Sequence, residues 1–510
     1  MKILFFSYAF PNPITPTLGT FNRTMIAGLA TQHDVQVVSP VPFTEVWKAS
    51  LTGQLPRGLN DSTFQAVPGV TTQYCTWYYT PKLLRTHYGD FMRRSVGRTL
   101  HRTLEAFRPD IVLSYWTHPD GEVAVAAAHQ HGIRAVAMVG GSDVLINGRS
   151  GARRDSILNV LRAADGVVTV SEDIRNVLLL DGIPSEKVFT SRRGIDRHLF
   201  HDGDTTLARR KLGIPNDRPI LLNVGRLVDV KGHKYLIEAC RLLVDRGIQF
   251  RCEIIGDGPL RPAIEQQIDQ HGLEETIKLR GSQSPAQLAE WYRAADLSIL
   301  TSLSEGVPNV LLESIASGTP FIASNVGGIP EITDETFDRL VPAADPVALA
   351  DAIADQLPRL QTFPCRSRRF EPQTVRQAAE SFSALLRSIH SGRITSPDSK
   401  RSRHENDPNP SSNTRSDTST ASQSHITTPT PAETLAAEDE GARTGEHYQL
   451  RQAIQARIAN GDQSAVAGRD RVRYIETVPS PSVQITPRQP PRYDDNAVIP
   501  REREGVLYGP

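Results

Sequence analysis

The feature that most constrains this chain is an alternation that runs once, breaks off, and runs again. Short apolar stretches of strand length fall near residues 3–8, 35–39, 110–115, 134–139, 166–170 and 187–191. Segments of helical periodicity lie between them at 20–32, 92–107, 121–131, 153–164 and 172–181. A strand that recurs only after a helix returns parallel to its predecessor, so the pattern dictates a parallel sheet covered on both faces. A loop rich in Asp and Gly (196–217) interrupts it. The alternation then restarts, with strands near 219–224, 250–255, 276–279, 297–301 and 320–323 and helices near 232–246, 259–271, 285–294, 308–317 and 345–358. The expectation is an α/β chain of two doubly wound, Rossmann-like domains facing a cleft. They occupy 1–195 and 218–370, with a linker at 196–217 and a closing helix at 371–390.

The remaining residues, 391–510, are of another kind. Ser, Thr, Pro, Asp and Arg dominate, and no aromatic residue occurs between Phe382 and Tyr448. Such a segment cannot bury enough apolar surface to offset its ordering entropy, so a low-complexity, largely disordered tail is expected, with a short helix near 446–459. Lys+Arg and Asp+Glu are 57 each, which gives no global attraction to nucleic acid. The four cysteines (75, 240, 252 and 365) form no CxxC pair, so neither a disulfide framework nor a zinc site is expected. The start, MKILFFSYAF, runs into Pro11 and Pro13 and reads as a first buried strand, not a signal peptide. No stretch of about 18 apolar residues is present. A cytoplasmic protein, peripheral at the inner face of the plasma membrane, is the expectation.

Ligands of open parallel sheets bind at the carboxyl ends of the strands, and the informative loops sit there. After the first strand, Gly19 opens a helix and can admit a phosphate or sugar to its N-terminus, or it is an ordinary strand–helix turn. In NVGRLVDVKGHKYLIEA (223–239), Arg226 and Lys231 flank a loop before a helix. Two cations there repel each other and oppose the helix dipole. A diphosphate between them would remove both costs, although two solvated loop cations are the plain alternative. In IIGDGPLRPAI (254–264), Gly256 and Gly258 could let a base or ribose pack against backbone, as could any tight turn. In SEGVPNVLLES (304–314), Glu305 sits at a loop tip beside Gly306, and Pro308 suits the first helical turn. The amides of Val307, Asn309 and Val310 can point at a ligand. Glu313 lies about two turns on, in a segment otherwise apolar. Two acids so spaced can grip two parts of one long ligand.

Together these motifs resemble the family-4 retaining glycosyltransferases of the GT-B fold, of the bacterial polysaccharide and glycolipid type, over roughly residues 1–390. The carrying features are E-x7-E from Glu305 to Glu313, GR-x4-KG from Gly225 to Gly232, GxGP at 256–259, and the Gly19 loop. The resemblance implies a nucleoside diphosphate sugar donor (UDP- or GDP-sugar) bound by the second domain and a saccharide or lipid-linked saccharide acceptor bound by the first. It implies that Arg226 and Lys231 hold the diphosphate, Glu305 meets sugar hydroxyls and Glu313 meets the ribose. The departing phosphate would take the acceptor proton, so no enzymic nucleophile, cofactor or metal is required.

Family members often carry His-Gly-x-Asp where this chain has Gly140-Gly141-Ser142-Asp143. A His role is lost at 140, while Asp143 remains to position the transferring sugar. His118 is a candidate polar group near the reacting centre, or a loop histidine; Asp120 serves there or caps the helix at 121–131. Arg193 stands where the family more often has Pro-Asn-Gly and is given no chemistry. Asp202-Gly203-Asp204 has the letters of a metal-binding DxD but reads as a turn and helix cap. Residues 41–91 are a long excursion rich in aromatics, followed by Arg94, Arg98 and Arg102 at helical spacing. That face suits an anionic membrane surface, or is simply solvated. A non-hydrolysing nucleotide-sugar epimerase of the same fold and a non-catalytic nucleotide-sugar-binding protein are the alternative functions.

Overall fold

The computed structural model describes residues 1–55, 58–81, 83–145, 151–362 and 368–392. The expected tail at 391–510 thus lies almost wholly outside the described residues, as does Cys365.

The first run of alternation forms seven parallel strands: β1 (Lys2–Phe6), β2 (Asp34–Pro42), β3 (Thr71–Trp77), β4 (Ile111–Tyr115), β5 (Arg134–Val139), β6 (Gly166–Thr169) and β7 (Val188–Thr190). Their order is β3-β2-β1-β4-β5-β6-β7. The second run forms six: β8 (Ile220–Val224), β9 (Arg251–Ile255), β10 (Ile277–Gly281), β11 (Leu297–Leu300), β12 (Phe321–Ser324) and β13 (Arg339–Val341), in the order β10-β9-β8-β11-β12-β13. Both sheets lie within one compact unit. Two doubly wound α/β sheets are what the alternation demanded.

Burial on both faces explains why these strands are apolar without alternation. Ile3 and Phe5 of β1 enter one core with Val35, Val37, Ile111 and Leu113, while Leu4 and Phe6 enter the opposite core with Val38, Val112 and Trp77. Leu221, Cys252, Ile254, Leu297 and Ile299 enter one core of the second sheet.

Two strands escape the sequence pattern. β3 lies inside the excursion at 41–91, where TTQYCTW buries only Tyr74 and Trp77, as an edge strand can. β13 has three residues and pairs with β12 alone. The expected closing helix begins at Val375, capped by Thr374, and ends at Ser391. It packs against the helix Thr20–Ala30 of the first sheet, and Ile195 forms a parallel bridge to Thr374 where the chain passes between the two sheets.

Each sheet reverses its winding at one place, between β1 and β4 and between β8 and β11. Loops that leave neighbouring strands in opposite directions open a crevice at such a point. The loops after β1, β4, β8 and β11 carry Gly19, His118, Arg226–Lys231 and Glu305 respectively.

Candidate functional site

The loops after β8 and β11 are tied together before any ligand arrives. Leu303 N donates to the Val230 carbonyl at 2.8 Å, and Thr301 Oγ1 donates to the Lys231 carbonyl at 3.0 Å. Gly232 has φ 66°, and a Cβ there would stand 2.2 Å from the Thr301 carbonyl oxygen. The glycine of GR-x4-KG is therefore fixed by this close approach.

The approach brings Lys231 to Glu305. Lys231 Nζ donates to Glu305 Oε1 at 2.5 Å, and Ser302 Oγ donates to the same oxygen at 2.7 Å. Lys231 is thus compensated from within the chain, which the sequence-based picture of two uncompensated cations did not include. Arg226 is exposed and makes no ion pair among the described residues. The adjoining helix opens at His233, which is 3% exposed. Neither ring nitrogen of His233 has a hydrogen-bond partner, and burial, with Lys231 beside it, lowers its pKa to about 4. His233 is a neutral imidazole at neutral pH.

Gly256 and Gly258 are positions of close approach within the chain. Gly256 has φ 141°, and a Cβ on it would lie 1.8 Å from the Gly225 carbonyl oxygen; one on Gly258 would lie 2.4 Å from the Leu227 carbonyl oxygen. These glycines make room for the loop after β8. Gly225 itself is unconfined, with Lys231 Cδ 3.8 Å from its built Cβ as the nearest atom. Gly19, at φ 61°, is confined by the Ala9 carbonyl at 2.0 Å, and Asn22 Nδ2 donates to that carbonyl at 2.7 Å.

After β11 the chain turns through Gly306, buried Val307 and Pro308 into the helix Asn309–Ala316. Leu311 N reaches the Pro308 carbonyl at 3.1 Å, and the amides of Asn309 and Val310 occupy the open first turn. Asn309 Oδ1 is buried without a partner. Glu313 accepts a hydrogen bond from the Tyr292 hydroxyl at 3.1 Å, and burial lifts its pKa to about 7. Asn309 and Glu313 share the wall of a cavity of about 350 Å3 with Thr20, Tyr115 and Arg193 of the first domain. Arg193 Nη2 donates to the Tyr115 hydroxyl at 3.1 Å, and its guanidinium lies 4.2 Å from the Phe21 ring centroid. Gly306 touches the first sheet directly. A Cβ on it would lie 2.7 Å from Val170 Cγ2 and 3.2 Å from the Gly140 carbonyl oxygen.

In the first sheet, the polar candidates bind their own loops. Asp143 Oδ2 accepts from Thr117 N at 3.3 Å and Thr117 Oγ1 at 3.0 Å, and Oδ1 accepts from Gly141 N at 2.9 Å. Burial raises its pKa. Asp120 does not cap the following helix, whose N-cap Gly121 has no side-chain bond. Its Oδ1 accepts from Tyr8 N at 2.6 Å, and burial holds its pKa well above the usual range. His118 is 1% exposed, with Nδ1 2.9 Å from Glu122 Oε2 and Nε2 3.0 Å from the Arg85 carbonyl oxygen. Both ring nitrogens are engaged inside the first domain. Asp204 caps the helix Thr205–Leu212 by accepting from Leu207 N, as expected for a turn.

Two opposed doubly wound sheets with a cleft between their switch points define the GT-B architecture. Residues 18–199 match the family described as Glycosyltransferase Family 4, and residues 204–358 match Glycosyl transferases group 1. The two matched segments, like the fold, are similar to the two domains of GT-B-type glycosyltransferases. The chain is 31% identical over 210 residues to the D-inositol 3-phosphate glycosyltransferase of Thermobispora bispora, covering 39% of this chain and 49% of that one. It is 31% identical over 202 residues to the putative colanic acid biosynthesis glycosyltransferase WcaL of Escherichia coli (38% and 48%). The chain thus spans about half the length of these relatives. It is 26% identical over 361 residues to the putative teichuronic acid biosynthesis glycosyltransferase TuaC of Bacillus subtilis, covering 69% and 88%. Among solved structures, a sucrose-phosphate synthase from Thermosynechococcus elongatus has a TM-score of 0.60 at 19% identity, covering 77% of this chain and all of that one. The Anabaena protein HepE in complex with UDP has a TM-score of 0.54 at 17% identity, covering 79% and 100%.

Proposed function

We propose that this protein transfers a sugar from a nucleoside diphosphate sugar to an acceptor hydroxyl, with retention of anomeric configuration, in the synthesis of a cell-surface polysaccharide or glycolipid. The observation that carries the reading is the Lys231–Glu305 pair, built from two loops at the second sheet's switch point, with exposed Arg226 on the same loop. A diphosphate arriving there competes with Glu305 for Lys231. Released from the ammonium, Glu305 is free to accept hydroxyls of the transferring sugar. Arg226, Lys231 and the first-turn amides of Asn309 and Val310 oppose the charge that grows on the leaving diphosphate. Glu313, deeper on the same helix, receives the ribose hydroxyls. Gly306, packed against Gly140 and Val170, places the sugar end of the donor beside the first domain, which holds the acceptor.

Asp143 and His118 act in this scheme as positioning residues. Asp143 fixes the turn at Gly141, and His118 fixes the segment at Arg85. The polysaccharide setting rests on the names of the relatives and the membrane setting on the surface. Trp47, at 65% exposure, and Leu51 lie on the helix Phe43–Leu51. Tyr78, stacked on Phe43 at 5.7 Å, and Leu83 and Leu84 are exposed beside it. They adjoin the helix Tyr88–Phe107, whose Arg94, Arg98 and Arg102 are exposed. Apolar side chains next to a basic face suit an anionic bilayer surface.

The test is a screen of UDP- and GDP-sugars for protection against thermal unfolding, followed by transfer assays with the donor that binds. A bound donor raises the unfolding midpoint. No protection by any donor and no transfer to any saccharide would end the proposal. A product with inverted configuration would end the retaining part alone.

A further inference from the structure

The turn Pro330–Ile332, after β12, carries a carboxylate whose side-chain partners, among the described residues, both lie in the first domain. Glu331 Oε1 accepts from the Asp173 amide at 2.9 Å, and Glu331 Oε2 accepts from Arg192 Nη2 at 3.1 Å. Asp173 stands in the first turn of the helix Glu172–Leu180, whose N-cap Ser171 accepts from the Ile174 amide at 3.2 Å. First-turn amides have no partner within their own helix. Ser171 supplies one from within the domain, and Glu331 supplies the next from the other domain. A carboxylate at that position also meets the positive end of the helix dipole. The Glu331 side chain is 16% exposed, so breaking either contact strands a largely desolvated charge.

The segment leading into this turn is bound to the loop that carries Glu305. Gly328 N donates to the Gly306 carbonyl at 2.8 Å. Gly327 has φ 57°, and a Cβ on it would stand 1.9 Å from the Glu305 carbonyl oxygen. A Cβ on Gly328 would lie 2.6 Å from the Gly306 carbonyl oxygen and 2.6 Å from Ser171 Cβ. No side chain fits between these backbones, so the segment 327–331 and the loop at 305–306 move as one piece. On its other side Gly306 faces Ile174 Cδ1, 3.3 Å from its built Cβ. One helical turn of the first domain therefore touches this piece at both ends. Asp173 holds Glu331, and Ile174 packs on Gly306. The Glu331 side chain makes no bond within its own domain among the described residues, so its bonds set that loop against the first domain.

We propose that Glu331 is a positioning residue for sugar transfer: by binding Asp173 and Arg192 it holds Glu305 and Gly306 in register with the first sheet. The word transfer rests on the proposed function, whereas the hold on the loop rests on these contacts alone. Glu331 touches neither ligand and acts through the backbone of residues 327–328. A sugar held by Glu305 must meet its acceptor at bonding distance, and a misplacement of about 1 Å there costs about 100-fold in rate. The diphosphate cations, Arg226 and Lys231, lie on the loop after β8, so loosening Glu331 acts on turnover and leaves diphosphate binding in place.

The test is hydrogen–deuterium exchange of the full chain, read at the Asp173 and Gly328 amides, beside UDP titration and turnover with the donor and acceptor that the screen identifies. In E331A both amides exchange about tenfold faster or more. UDP binds within about twofold of wild type, and kcat falls about tenfold or more. E331Q, which keeps an oxygen for the Asp173 amide, lies between the two. Should E331A fold poorly, E331Q and R192Q, which leave the Asp173 bond in place, decide by the same criteria. Unchanged exchange at Gly328, or unchanged kcat, would overturn the proposal. A loss of UDP affinity that matches the loss of kcat would overturn it as well, because Glu331 would then support the second domain as a whole. A wild type that transfers no sugar would sink the proposed function, and exchange at Gly328 would still decide whether Glu331 holds the loop.

Discussion

Glu313 offers a quantitative check on the site. Its carboxyl is lifted from an ordinary 4.5 to about 7 by burial, against a single hydrogen bond from Tyr292. In the unfolded chain it releases its proton near 4.5, while in the native state it keeps that proton until about 7. The native state therefore binds more protons between those values, and unfolding free energy falls as pH rises through that window, then levels off. Between pH 5 and pH 8 the loss comes to ~2.5 kcal/mol, an upper bound because the carboxylate keeps some contact with solvent. Glu313→Gln removes the titration and leaves every other group in place. Urea unfolding of both proteins across pH 5–8 should show the wild type losing up to about that much relative to the Glu313→Gln variant. A pH-independent difference between the two curves would refute the reasoning. Under the proposed function the same titration reaches donor binding, since a carboxylate accepts ribose hydroxyls better than the neutral acid does. UDP affinity should climb with pH through 7 in the wild type and stay level in Glu313→Gln.

Three further outcomes are expected. Arg226→Ala breaks no ion pair, so turnover should drop about 100-fold while stability stays within ~0.5 kcal/mol; steady-state kinetics beside a melting curve reads both. Gly256→Ala forces a Cβ to 1.8 Å from the Gly225 carbonyl at φ 141° and should cost ~3 kcal/mol or more, whereas Gly225→Ala, with 3.8 Å of clearance, should fold normally; equal yields and melting points would contradict this. Changing Arg94, Arg98 and Arg102 together to Glu should abolish sedimentation with anionic liposomes, and persistent binding would remove the membrane reading.

The parallel sheets were legible because β1, β5 and β11 are apolar on both faces, which no other arrangement tolerates. β3 was hidden because its exposed edge lets Thr71, Thr72, Gln73 and Thr76 interrupt the pattern. In the candidate site, the spacing located Arg226, Lys231 and Glu305 in loops after strands at the switch point and Glu313 on the helix that follows. What spacing could not report was pairing. Lys231 meets Glu305 across 74 positions, with Ser302 as a third member. Gly256 and Gly258 advertise close approach in sequence, but not whether ligand or backbone does the approaching.

The helix Val375–Ser391 has a consequence for anyone recombining such chains. Ile389 fills the space above Gly166, Ala379 covers Gly28, and Arg134 Nη1 donates to the Ile389 carbonyl at 2.6 Å. By contacts these last turns belong to the first sheet, although the chain reaches them only after completing the second. A chimera spliced once, near Ile195, would therefore inherit a foreign lid on its first domain and a mismatched seam beside Gly28 and Gly166. Exchanging the second sheet cleanly takes two junctions, one on each side of the Ile195–Thr374 bridge, with the terminal helix travelling alongside the first sheet.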